Sequence, residues 1–292
     1  MKISHGLEFA AVWTLTRIVQ IIPGRLADWI AVGLGKLAHL ILASRRRIAL
    51  RNLERGFKDE LSLERRKEIT KEVFINIART SIEFARQPLL TPKKIVNMVT
   101  FEGKEHVDQV FQEGKGAILI CPHFGNWELM GGWVAACGYP IDFLVGEQHN
   151  QYVDRLVVSF REALGVGIIP IGVASRHIIK SLKSNRMVAM VSDQHSATGG
   201  VVVQFFGRPA STPKGPAAFA IKVGAPILCG VLLRKGYNKH HAVVYPPLYP
   251  PQSGDNEKDI FDMTQLYTSY FEKSIRKNPE QWMWTHRRWK LD

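Results

Sequence analysis

Two apolar segments open the chain. Residues 3 to 22, ISHGLEFAAVWTLTRIVQII, end at Pro23-Gly24, a helix-stop signal. Residues 26 to 44 follow, with Leu26, Ile30, Leu34, Leu37 and Ile41 at helical spacing. A third helical pattern covers residues 60 to 87, with Ile69, Val73, Ile77 and Phe84 on one stripe, and Pro88 closes it. From about residue 99 the pattern shortens. Strand-like runs stand at 116–121, 141–146, 165–171, 186–192, 201–206, 226–233 and 241–246. Helices are predicted over 126–137, 151–164, 175–184, 214–223 and 258–277. Alternation of this kind predicts an α/β fold, a mixed central sheet covered by helices, behind an N-terminal membrane-associated helical segment. The predicted boundary places that segment at 1–45 and the main domain at 46–292.

The opening segments raise the question of a membrane. The first has the roughly 20-residue length of a span, but it carries His5, Glu8 and Arg17. Each such charge costs about 2.5–3.5 kcal/mol at the bilayer centre. A single span, an interfacial helix and two amphipathic helices packed on the body all remain open. Arg45, Arg46, Arg47 and Arg51 follow the second segment. A basic cluster there favours an anionic membrane surface, by about 1 kcal/mol per residue, and a cytoplasmic orientation. No small-residue cleavage site follows the apolar part, so it is not read as a signal peptide.

With 46% hydrophobic residues, 22% charged residues and no low-complexity tract, the 292-residue chain can bury a large core. Its net charge of +13 attracts polyanions. Nucleic acid is disfavoured, because no reader motif accompanies the charge. Cys121, Cys137 and Cys229 lie far apart in apolar settings, giving neither a disulfide framework nor a metal site. Three free thiols suit a reducing compartment.

The chemistry concentrates in ICPHFGNWE, residues 120–128. A predicted strand ends, and His123 follows where α/β folds bind ligands. Histidine is suited to take a proton near neutral pH. A carboxylate on its other ring nitrogen would fix the tautomer. Glu128 can supply it if His123 lies in the loop and Glu128 in the first helical turn. Gly125 permits that turn, and Asn126 is a good N-cap, placed with the substrate-binding residues. The helix start also offers N–H groups to an oxyanion. Strand alternation turns Cys121 into the core, which removes it as a nucleophile. On spacing alone, a His–Glu pair is more often structural.

HFGNWE resembles the HxxxxD/E motif of the lysophospholipid acyltransferase superfamily. Three further blocks resemble the lipid A late acyltransferases, the lauroyl/myristoyl branch: RRRIALRNLERGF (45–57), SDQHSATGGVVVQFFGRPASTPKGPAAFAIKVGAPI (192–227) and PEQWMWTHRRWK (279–290). The resemblance implies transfer of a fatty acyl group from acyl carrier protein to a hydroxyl of a glucosamine-based glycolipid. The implied setting is the cytoplasmic face of the inner membrane, with no cofactor and no metal. It assigns His123 as general base and Glu128 as its partner. Arg161, preferred to Arg155, would bind acceptor phosphate or support the catalytic carboxylate. Asp193 and Gln194 would face the cleft, the alternative being a polar turn. Thr212 and Lys214 would touch donor or acceptor, or cap the next helix. His286, Arg287 and Arg288 would anchor the acidic carrier or a headgroup, or form a solvated tail. His195, His240 and His241 remain unassigned surface or loop residues. An FPEG-like phosphate block of the glycerolipid branch is missing, which disfavours lysophosphatidate acceptors and leaves other glycolipids open, among them actinobacterial mannosides. A non-catalytic lipid-holding protein is the second class of function, and the intact His–Glu pair argues against it.

Overall fold

The computed structural model describes residues 3–291. Helices α1 (Ile3–Ile21) and α2 (Gly24–Ile41) are divided at Pro23, as the hydropathy predicts. After a bend of 89°, α3 (Ala43–Phe57) carries the basic cluster. No single described helix is long and apolar enough to cross a membrane; by length and composition only the bent α2–α3 pair passes that test. Helix α4 (Leu63–Ala85) starts at Ser62, whose hydroxyl accepts from the Arg65 N–H. It ends before the 3₁₀ turn that contains Pro88.

The burial of α2 inverts the usual amphipathic rule. Its small residues Ala27, Ala31 and Gly35 pack inward on α4. A Cβ on Gly35 would lie 2.5 Å from the Ile75 Cα, so these helices approach more closely than any side chain allows. The large stripe, Leu26, Ile30, Leu34, Leu37 and Ile41, faces outward, as does Trp29 at 70% exposure. On α1, Leu7, Leu15, Ile18 and Ile21 are also exposed. Exposed apolar stripes of this kind mark a contact with something other than water. Paired hydrogen bonds from Arg79 to Asp28, 2.8 and 3.1 Å, and from Arg86 to the Val19 and Ile22 carbonyls tie both helices to the body.

The remaining elements alternate: α5 (Pro92–Met98), β1 (Val99–Glu102), α6 (Lys104–Gln112), β2 (Ala117–Cys121), α7 (Trp127–Ala136), β3 (Ile141–Val145), α8 (Gln151–Glu162), β4 (Gly167–Pro170), α9 (Ala174–Lys183), β5 (Met187–Val191), β6 (Gly200–Phe205), β7 (Arg208–Pro213), α10 (Gly215–Val223), β8 (Ile227–Gly236), β9 (Lys239–Val244) and α11 (Asn256–Lys277). Seven strands form one mixed sheet in the order β1-β9-β8-β2-β5-β3-β4. Strands β8, β2, β5, β3 and β4 run parallel, and β9 runs antiparallel to β8. The run at 201–206 is a strand, but it leaves the sheet and pairs with β7 in a separate hairpin. The short α5, β1 and α6, together with β7, carry too little periodicity to stand out in the sequence.

Strand β2 is buried on both faces, as parallel strands covered by helices are. Ile118 and Ile120 join the cluster with α10 and α11; Ala117 and Leu119 join the opposite cluster with Trp133 of α7. His240, read as a surface or loop residue, lies on β9 and is buried; His241 beside it is partly exposed.

Candidate active site

The site forms where β2 and β5 end side by side. Their parallel register pairs Cys121 with Val191. Two residues further along each strand stand His123 and Asp193. The chain leaving β2 runs toward β3, whereas the chain leaving β5 returns by way of the hairpin to β8, on the other side of β2. A crevice at such a divergence is where open α/β sheets place ligands.

The turn after β2 is held from three directions. Gly125 has φ +55°, and a Cβ there would meet the Leu232 carbonyl oxygen at 1.9 Å. Its own carbonyl accepts from Thr80 Oγ1 of α4 at 2.8 Å, and its N–H donates to the Gln281 carbonyl at 2.9 Å. The Met283 N–H donates to the His123 carbonyl at 3.0 Å. The expected N-cap is present: Asn126 Oδ1 accepts from the Leu129 N–H at 3.0 Å.

The carboxylate on the imidazole is not the expected one. His123 Nδ1 lies 2.7 Å from Asp193 Oδ1, and the His123 backbone N–H donates to Asp193 Oδ2 at 3.0 Å. Trp282 Nε1 donates to the same Oδ2 at 2.7 Å. Asp193 is 3% exposed. With a carboxylate accepting at Nδ1, that nitrogen carries the proton and Nε2 is left as the acceptor. The Gln194 amide nitrogen stands 3.4 Å from Nε2. Glu128, expected behind His123, accepts instead from Arg161, whose Nε and terminal nitrogen lie 3.0 and 2.7 Å from its two oxygens. The reason is topological. Glu128 sits in the first turn of α7, which faces α8, whereas Asp193 comes from the strand next to β2. Trp127 turns its ring toward the imidazole, at 5.2 Å between centroids.

The electrostatics follow this wiring. Burial alone pushes the His123 imidazole down, but the Asp193 charge, its hydrogen bond and the charge of Glu128 together hold it above the ordinary value of 6.5. For Asp193, burial pushes upward, and the hydrogen bonds and charge of His123 with the Trp282 donor outweigh it, so the carboxyl lies below its usual range. Cys121 is buried against this carboxylate pair. Burial first, then Asp193 and Glu128, push its thiol up to about 12, which keeps it protonated. A small slot of about 50 Å³ adjoins Glu128, between Gly131, Phe143 and Val191.

Sequence comparison supplies the chemical context. The family model described as bacterial lipid A biosynthesis acyltransferase matches residues 3–291. The chain belongs to this family. It is 28% identical over 289 residues to the lipid A biosynthesis lauroyltransferase of Escherichia coli (strain K12), covering 98% of this chain and 92% of that enzyme. It is 27% identical over 216 residues to the phosphatidylinositol mannoside acyltransferase of Mycobacterium tuberculosis (strain CDC 1551 / Oshkosh), covering 72% of this chain and 66% of that protein. The lipid A biosynthesis palmitoleoyltransferase of Escherichia coli (strain K12) is 24% identical over 272 residues, or 92% and 86% of the two chains.

Of the remaining residues expected at the candidate site, Asp193 and Gln194 reach the imidazole and Arg161 reaches Glu128. Others do not. Asn126 is buried, and its amide nitrogen donates to Glu83 Oε2 at 2.6 Å, so both ends of its side chain are used inside the fold. Thr212 is buried on β7; its hydroxyl donates to the Ala210 carbonyl and accepts from Arg288. Lys214 is exposed ahead of α10, with no side-chain capping bond. Arg155 is exposed on α8. Arg288, expected at an anchoring or solvated tail, is buried between β7 and the Phe205 ring, with its guanidinium pushed down to about 10, first by burial. The tail is built around Trp282, Trp284 and Trp289, all buried, and it carries the Trp282 donor that the sequence reading missed. His286 stands beside the site, where its Nε2 accepts from the His195 N–H at 3.2 Å.

Arg287 and Lys290 turn the other way. With Arg47, Arg51 and Arg55, spaced four apart on α3, they line a groove of about 340 Å³. Among the described residues, no carboxylate pairs with any of these five. That groove concentrates the positive charge seen in composition. No cluster of three or more His, Cys, Asp or Glu side chains able to hold a metal ion occurs among the described residues.

Proposed function

We propose that this protein transfers a fatty acyl chain from the thioester of acyl carrier protein to a hydroxyl of a lipid A precursor at the membrane surface. The observation that carries the proposal is the Asp193–His123 pair at the ends of β5 and β2, with Nε2 turned from the carboxylate. His123 Nε2 takes the proton of the acceptor hydroxyl. The oxygen attacks the thioester carbonyl, the C–S bond breaks, and the departing thiolate takes the proton back from the imidazolium. Asp193 holds the tautomer and stabilises the imidazolium. The charge of Glu128, fixed by Arg161, supports the same protonation, and the Gln194 amide, 3.4 Å from Nε2, is placed to donate to the reacting oxygen. General-base help of this kind supplies about 10²- to 10⁴-fold.

The exposed apolar side of α1 and α2 and the basic groove on α3 support a setting on an anionic membrane, with the catalytic body on the cytoplasmic side of the inner membrane. The groove also suits an acidic carrier. The near-complete match to a lauroyltransferase favours a lipid A precursor as acceptor. The mycobacterial relative supports a second reading in which the acceptor is another mannosylated or glycosylated lipid.

Lipid mass spectrometry tests both. Cells lacking the protein are complemented with the native chain or with His123→Ala. Lipid A that gains one acyl chain only with the native form is the expected result. A shift confined to another glycolipid moves the acceptor to the second reading. Full acylation by a folded His123→Ala protein would remove the base.

A further inference from the structure

Arg234 stands near the end of β8, and its side chain is 7% exposed. Its guanidinium lies against one face of α4. Nε donates to Asn76 Oδ1 at 3.1 Å, one terminal nitrogen donates to Thr80 Oγ1 at 2.9 Å, and the other pairs with Glu83. Positions 76, 80 and 83 follow one another along successive turns of the helix, so a single planar fork meets all three. A buried charge is stable when it is paired and hydrogen-bonded, and here all three guanidinium nitrogens are engaged.

Each of the three acceptors passes the contact on to the turn after β2. Thr80 Oγ1 donates to the Gly125 carbonyl at 2.8 Å. The Asn76 amide nitrogen donates to the Gln281 carbonyl at 3.2 Å, and that carbonyl also accepts the Gly125 N–H at 2.9 Å. The second oxygen of Glu83 accepts from the Asn126 amide at 2.6 Å, while Asn126 Oδ1 caps α7. The main chain of Arg234 adds a fourth route: its N–H donates to Gln281 Oε1 at 2.7 Å, and its carbonyl accepts from Gln281 Nε2 at 3.1 Å. Gly125 and Asn126 lie between His123 and Glu128. The Arg234 side chain bonds to α4 alone, so any effect on the imidazole passes through this turn.

We propose that Arg234 is a positioning residue for acyl transfer: by bracing Asn76, Thr80 and Glu83 it fixes the Gly125–Asn126 turn, and through it the placement of His123 against the start of α7. The inference rests on the acyl-transfer reading. A base must lie within hydrogen-bond reach of the acceptor hydroxyl, about 2.6–3.2 Å. A displacement of about 1 Å lowers turnover by as much as 10²-fold. The network holds protein backbone, so its loss acts on kcat and not on KM.

Two substitutions loosen the network at different points. Arg234→Lys keeps a charge opposite Glu83 but presents one nitrogen in place of the fork. Thr80→Val keeps the shape and removes the hydroxyl between Arg234 and Gly125; Thr80→Ser keeps that hydroxyl. All three are assayed below their unfolding midpoints with purified carrier thioester and lipid A precursor, beside the native chain and His123→Ala. In Arg234→Lys and Thr80→Val, kcat falls by roughly 10- to 100-fold. KM for the thioester stays within about twofold in both, and Thr80→Ser retains most of the native kcat. A network that serves stability alone would lower the unfolding midpoint and leave kcat native. That result in either variant, a loss confined to KM, or equal losses in Thr80→Val and Thr80→Ser would overturn the proposal. Failure of the underlying reading looks different: the native chain transfers no acyl group, or His123→Ala keeps native turnover, and the role of Arg234 falls with it.

Discussion

Helix α2 and the turn after β2 treat the same solvent in opposite ways. In α2 the large apolar side chains point outward and the small ones point in. At the β2 turn, charged and polar groups are drawn inside and wired together: Asp193 receives three hydrogen bonds, and Gly125 is fixed by α4, the tail and the close approach of β8. Each arrangement is unfavourable by itself. The buried carboxylate is stable because it is paired and hydrogen-bonded. Among the described residues the exposed stripe has no partner. In the proposed reading, internal satisfaction marks the chemical centre and its lack marks the docking face.

The comparison breaks most severely at His123. Substitution by alanine removes the proton acceptor and lowers acyl transfer by about 10²- to 10⁴-fold, measured with purified carrier thioester, while circular dichroism stays native. Next in size is Gly125→Ala. A φ of +55° with the Leu232 oxygen at 1.9 Å from the added Cβ forces the turn to move. We expect a loss of about 1–3 kcal/mol in stability, read from urea denaturation, and a larger loss of activity than the unfolded fraction explains. Trp282→Phe keeps most of the ring but deletes one donor to Asp193, and bonds to charged groups are worth about 1.5–3 kcal/mol. Its signature is in pH. Without that donor the Asp193 carboxylate holds the imidazole proton more tightly, so the His123 pKa rises and activity is lost at a higher pH on acidification than in the native protein. The smallest effect on the fold falls on α2. Leu34→Ser with Leu37→Ser leaves stability within about 0.5 kcal/mol per site, because both side chains are exposed, yet sedimentation with anionic vesicles decreases. Unchanged sedimentation would show that the stripe is not the membrane contact.

Much of this was legible in the sequence, for identifiable reasons. The β2 run AILIC is apolar throughout and followed by Pro122, so its strand and its end are visible, and with them the place of His123. The positive φ at Gly125 and the cap at Asn126 follow from residue type. The identity of the carboxylate on His123 does not. Choosing Asp193 over Glu128 requires knowing that β5 lies next to β2, and strand order is not encoded in local periodicity. The SDQ triplet at the end of β5 was visible as cleft chemistry, but its partner was not. Trp282 was hidden for the same reason, since its indole reaches Asp193 across 89 positions of sequence. Helical spacing found the stripe on α2 without revealing its direction, because a 3.6-residue period looks the same facing a core or a bilayer.

The most direct test of the central claim compares kcat/KM across pH for the native protein, Asp193→Asn and Glu128→Gln. His123 must be neutral to act, so activity rises with pH through its pKa, which lies above 6.5 in the native protein. Asp193→Asn removes the charge that raises that pKa and the acceptor that fixes the tautomer. The rising limb therefore moves to lower pH, and the plateau falls by roughly two to three orders of magnitude. Glu128→Gln shifts the limb the same way but less, since its charge acts on the imidazole without a hydrogen bond. The opposite pattern, with Asp193→Asn close to native in rate and profile and Glu128→Gln as inactive as His123→Ala, would contradict the account and restore Glu128 as the partner of the base.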